Sequence, residues 1–122
     1  MSFQFVATAT SISGFLLAGM WMLAGQKLLK SWGVVVHDDG LIVGRRMGVV
    51  YFGNAVMLLL CRTAPASDLR NAICVGMLIS MFGLAGLGIY EFRSQRAGSS
   101  IFGGVAIELA FALGFAAVLL GG

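Results

Sequence analysis

Four blocks of apolar residues, at roughly 3–25, 41–61, 71–90 and 100–120, decide what this chain can become. A helix needs about 20 such residues to cross a bilayer, and each block supplies them. Short connections between successive spans predict an all-α membrane protein, an antiparallel four-helix bundle of up-down-up-down topology. With 59% hydrophobic and only 11% charged side chains, little of the 122 residues remains for anything outside the membrane. The chain therefore reads as one domain over 1–122, with the lipid bilayer as its first partner.

The first block has features that set it apart from a cleaved signal peptide. It lacks a basic leading region and is long for a signal core, and its exit, Leu23-Ala24-Gly25-Gln26, carries no lipobox cysteine. It is expected to be a retained span. Lys27, Lys30, Arg45 and Arg46 flank the first connection, and Arg93 and Arg96 lie in the third, whereas only Arg62 and Arg70 flank the second. That bias points the first and third connections toward the cytoplasm and both termini outward. Trp21, Trp32 and Tyr90 then fall near the same inner interface, where amphipathic rings are favoured. The bases sit beside apolar segments and form no soluble basic face, which argues against a nucleic-acid partner.

Helix punctuation agrees with this division. Asp38-Asp39-Gly40 precedes the second span, Pro65 ends its continuation, Ser67-Asp68 offers a cap for the third, and Ser99-Ser100 one for the fourth. Gln26–Val36 mixes basic and bulky apolar residues, as suits a segment lying at the interface. Eighteen glycines also need a role. Gly44 and Gly48 form a GxxxG step, Gly76 and Ser80 repeat the spacing on helix three, and Ala106, Ala110 and Gly114 repeat it on helix four. Small residues four apart let helix backbones approach closely. They are expected to pack this bundle's own helices rather than a second copy.

Glu108 is the one acid inside an apolar block. A carboxyl group there is costly unless it meets a partner, a cavity or a proton, so it is the first candidate for a functional site. At 1.5 Å per helical residue, Glu108 lies about 12 Å in from the inner end of its helix. Arg45 and Arg46 enter from the same side to about 6–8 Å, and an arginine can span the difference. Tyr51 and Asn54 follow at about 15 and 19 Å on helix two. Ser80, midway along helix three, completes a candidate polar core, although its hydroxyl can also bond its own helix. The arginines have a plainer use as snorkelling topology anchors.

Other chemistry is poorly supplied. His37-Asp38-Asp39 offers adjacent residues that do not converge on one ion, so capping explains it better than a metal site. Cys61 and Cys74 flank the second connection without a C-x-x-C pair and are expected to behave as small hydrophobes. No nucleophile motif, phosphate loop, zinc spacing or haem pattern is present; neither a cofactor nor an enzymatic mechanism is expected.

Two stretches resemble a family of small four-helix bacterial membrane proteins of unassigned function related to the DoxX-like group. Gly44-Arg45-Arg46-Met47-Gly48-Val49-Val50-Tyr51-Phe52-Gly53-Asn54-Ala55 is similar to that family's R-x-x-G-x-x-Y-x-G-x-A opening of helix two. Ala106-Ile107-Glu108-Leu109-Ala110 is similar to its helix-four acid. The resemblance places Arg45 or Arg46, Gly48, Tyr51, Gly53 and Glu108 at family positions, and implies a bacterial inner membrane. Because the group includes small subunits of membrane oxidoreductases, it also implies an accessory or assembly role beside a membrane-protein partner. Binding of a lipophilic small molecule between the helices is the companion expectation. The alternative is a proton-coupled small multidrug-type transporter using Glu108, although that family carries its acid in helix one, where this chain has only Thr8, Thr10, Ser11 and Ser13.

Overall fold

In hydrocarbon a backbone N–H or C=O finds no water, so an apolar segment satisfies itself by coiling. The computed structural model describes residues Ser2 to Gly121, and it coils them four times. Helix α1 runs Phe3–Ser31, α2 Asp38–Cys61, α3 Asp68–Arg93 and α4 Phe102–Gly121, with a 3-10 turn at Ser99–Ile101 leading into α4. All four are long and apolar enough to cross a membrane. The protein is an all-α four-helix bundle. The helices outrun the apolar blocks at their charged ends, because intrahelical bonding does not depend on the apolar character that defines a span.

Helix α1 is broken once. Ala24 leaves helical geometry at φ −142° and ψ 35°, immediately before Gly25. The break divides a transmembrane part from Gln26–Ser31, which carries the bases expected at the interface. Ser2 caps α1 by accepting from the Phe5 amide at 3.2 Å, and Ser67 caps α3 by accepting from Arg70 N–H at 3.1 Å. Of two further expected caps, one holds in part and one is corrected. His37, without a side-chain bond, occupies the cap position of α2, and both aspartates fall in its first turn, where Asp39 accepts from the Gly40 amide at 2.9 Å and both favour the positive helix end. Ser100 donates its hydroxyl to the Ser31 carbonyl rather than capping α4.

That hydrogen bond belongs to a tie between the first and third connections. The Gly98 amide donates to the Trp32 carbonyl at 2.8 Å, and Gly33 adopts φ +71° where Gly98 approaches it. An L side chain at position 33 would be strained in that geometry and would press on Gly98. Trp21 and Trp32 meet edge to face at 5.8 Å beside it.

Packing is unequal around the bundle. Helix α1 lies along α2 and α3 along α4, and the two hairpins meet mainly through α1 and α4. The order around the bundle is therefore α2, α1, α4, α3, and α2 and α3 do not pack along each other. At the end of the bundle beside the second connection all four helices close over one apolar core. It includes Phe3 and Ala7 of α1, Leu58 of α2, Cys74 and Met77 of α3, and Ala112 and Phe115 of α4. Arg70 lies over the Phe3 ring at 5.0 Å and donates to the Ala64 carbonyl at 3.2 Å, securing the short second connection. Cys61 and Cys74 are both free.

The glycine steps divide sharply. A Cβ on Gly44 would lie 2.2 Å from the Trp21 ring, and one on Gly48 would lie 2.7 Å from Met22 Cγ and 3.2 Å from the Ala18 carbonyl oxygen. The GxxxG step therefore seats α2 on α1. Gly114 is buried on α4. Gly76 corrects the expectation for helix three: nothing lies within 4 Å of the Cβ it lacks. Gly88 makes that close approach instead, with its missing Cβ 2.7 Å from Val105 Cγ2 on α4.

Candidate functional site

Between the apolar core and the tie of the first and third connections, the unclosed side of the bundle leaves a cavity of about 390 Å³. Helices α1 and α4 form its floor, with Thr10, Ser13, Gly14 and Leu17 from the first and Ile107, Glu108 and Phe111 from the second. Helices α2 and α3 form its sides, where Tyr51 and Asn54 stand across from Ser80 and Leu84 among methionine, valine and leucine side chains. Glu108 and Tyr51 are half-buried, whereas Asn54 and Ser80 are exposed on the lateral side.

The floor is held by specific contacts. Ser11 donates to the Ala55 carbonyl at 2.7 Å, one turn from Tyr51, and fastens α1 to α2. Just beyond it the missing Cβ of Gly14 would be 3.1 Å from Ala55 Cβ, so the backbones nearly touch. Thr10 turns its hydroxyl onto the Val6 carbonyl of its own helix at 2.7 Å, and Ser80 does the same with Gly76 at 2.9 Å. Both hydroxyl protons are thereby used, leaving oxygen lone pairs toward the cavity.

Four of the six expected polar-core residues, Glu108, Tyr51, Asn54 and Ser80, come together around this space. Tyr51 and Glu108 lie close enough to feel each other's charge. Arg45 and Arg46 do not join them. Arg45 lines a separate recess beside the break in α1, with Trp21, Gly25, Gln26 and Lys27, and Arg46 is exposed and borders neither space. The reason is rotation about the helix axis. At about 100° per residue, Arg45 and Arg46 point about 120° and 140° away from Tyr51, whereas Met47 and Leu58 stay within about 40° of it. Shared depth brought the arginines level with the acid but not toward it.

Glu108 consequently makes no ion pair or hydrogen bond among the described residues; an ion pair among them joins Arg96 to Glu91 at 2.5 Å, at the C-terminal end of α3. There the carboxylate holds the Arg96 guanidinium still further above its ordinary pKa, and the guanidinium also lies over the Tyr90 ring at 5.1 Å. No group of three His, Cys, Asp or Glu side chains converges among the described residues. Sequence reasoning passed over the contribution of α1. Thr10, Ser13, Gly14 and Leu17 recur at intervals of three and four, a helical face that marks them as neighbours. Phe111, three residues after Glu108, could have been found by the same spacing.

Chemically, the site is an apolar slot with one carboxyl group, one phenol, one primary amide and the hydroxyls of Thr10, Ser13 and Ser80. It can bind, orient and exchange a proton; it offers no nucleophile beside a base. Against protein-family models, curated proteins and solved structures, the chain matches none.

Proposed function

We propose that this protein is a ligand-binding membrane bundle whose interhelical cavity holds a lipophilic small molecule. The observation that carries the reading is the cavity itself: about 390 Å³ of space lined by four helices, apolar except at Glu108 and its polar neighbours. Small-molecule sites have this character, with a volume of about 300–1,000 Å³, mostly apolar walls and a few polar groups that fix orientation. Packing alone would favour filling such a space, since a bundle in lipid is held by close van der Waals contact. The gap between α2 and α3 gives a molecule dissolved in the bilayer a sideways path to Glu108.

The similarity of Arg45–Ala55 and Ala106–Ala110 to the DoxX-like group supports a bacterial inner-membrane setting and an accessory role beside a partner. The distribution of bases supports inward-facing first and third connections. Proton-coupled transport is the second reading, favoured by the absence of an intramolecular partner for Glu108 among the described residues. It requires substrate movement across a liposome membrane to follow an imposed proton gradient.

The test of binding is gentle purification in native lipid patches, followed by mass spectrometry of organic extracts. Wild type is compared with Ser80→Trp, which fills the cavity, and Leu120→Trp, at a position 90% exposed on the outer surface. A molecule enriched with wild type and Leu120→Trp but lost from Ser80→Trp is the expected result. Extracts identical for all three proteins would remove the reading.

A further inference from the structure

We infer that the cavity selects a membrane-soluble organic monocation, an amphiphilic amine or onium ion whose charge rests against the Glu108 carboxylate. This inference rests on the ligand-binding reading and adds the charge of the ligand to it. Glu108 is the sole charged side chain among the described residues lining the space, and neither Lys nor Arg lines it. The carboxyl group has no hydrogen bond or ion pair among the described residues. A carboxylate facing such a slot is complemented by a positive charge, and attraction between opposite charges strengthens where water is scarce.

The surroundings narrow the class further. Tyr51 and Phe111 line the same cavity as the acid, and aromatic faces attract organic cations. Asn54 contributes an amide oxygen that can accept from an ammonium N–H. A bare metal ion is a poor match, because a hard cation takes six or more oxygens and the walls here are methionine, leucine and valine. An anion would meet Glu108 as a like charge. A phospholipid ammonium group is also excluded as the occupant. Glu108 lies six residues into α4, about 9 Å from its inner end, and a headgroup would have to leave the interface to reach it.

Two probes of nearly the same shape and opposite charge, tetraphenylphosphonium and tetraphenylborate, separate charge selection from lipophilicity. Binding is measured by equilibrium dialysis to the full chain in zwitterionic lipid nanodiscs, with uptake by empty discs subtracted. Wild type should prefer the cation by about tenfold or more, and Glu108→Gln should weaken cation binding by about tenfold while strengthening anion binding, since the like charge is gone. Glu108→Asp keeps the charge and should keep the preference for the cation. Ser80→Trp should block both probes. Helical content and thermal unfolding of each variant identify loss of fold. Should Glu108→Gln unfold, the wild-type ratio and the Glu108→Asp ratio decide the matter. Equal binding of the two ions, still blocked by Ser80→Trp, would overturn cation selection and leave a lipophile site standing. Undiminished cation binding by a folded Glu108→Gln would also overturn it. Binding of neither probe, together with extracts that do not distinguish Ser80→Trp, would overturn both readings.

Discussion

An acid that faces a cavity without a counter-charge contributes nothing to holding the bundle together. Breaking a buried ion pair costs about 3–5 kcal/mol because the surviving charge is left stranded. Removing Glu108 strands no partner, so Glu108→Gln and Glu108→Leu should each change unfolding stability by less than about 1 kcal/mol. Thermal unfolding in detergent checks this, and a loss of several kcal/mol would reveal a partner that the geometry lacks. Arg46→Gln should likewise leave ligand binding unchanged. Glu108, Tyr51, Asn54 and Ser80 were legible as a group because a polar side chain in an apolar block is conspicuous, and depth follows from counting residues. The arginine pairing was misread because depth fixes only one of the two coordinates of a side chain on a helix. The other, rotation, separates Arg45 and Arg46 from Tyr51 despite their nearness in sequence.

Helices carry the next layer of explanation, and the glycines show where spacing alone runs out. Gly44 and Gly48 pack as their GxxxG step predicts, with Trp21, Met22 and the Ala18 carbonyl filling the groove. Gly76 has the same spacing to Ser80 but faces no neighbour, because α3 lacks α2 at its side. Spacing marks a face that backbones could approach; which helix arrives there is a property of the assembled bundle. Gly48→Ala should therefore destabilise by about 1–3 kcal/mol, since the added methyl meets a backbone oxygen as well as Met22. Gly83→Ala, where nothing lies within 4 Å, should be neutral or stabilise by up to about 1 kcal/mol through helix propensity. Parallel thermal melts of the two variants compare them, and equal losses would mean that contact with α1 is not what Gly48 provides. Helix number and approximate limits were readable from the four blocks. The break at Ala24 was not, since Gly25 marks a weak point without requiring that it yield.

Across the whole molecule, the distribution of bases predicts an orientation that can be checked directly. In a chain with Cys61→Ala and Cys74→Ala, a cysteine at Ala66 should react with a membrane-impermeant thiol reagent added outside intact spheroplasts. One at Val35 should react only after lysis. The reverse pattern would invert the topology. The lack of packing between α2 and α3 along their lengths has a different consequence, for how the protein is made. The α1–α2 pair holds itself together through Gly44, Gly48, Gly14 and the Ser11–Ala55 hydrogen bond, and the α3–α4 pair has its own approach at Gly88. Each pair is thus a self-contained hairpin that can form as it emerges, and docking through α1 and α4 comes second. The connection from Arg62 to Ser67 mainly keeps the halves in each other's neighbourhood. Chains ending at Ala64 and beginning at Pro65, synthesised together in one cell, should find each other in the bilayer and co-purify as a pair. The gene for this protein could accordingly be divided in two at that point, and the membrane would complete the assembly that the peptide bond otherwise enforces.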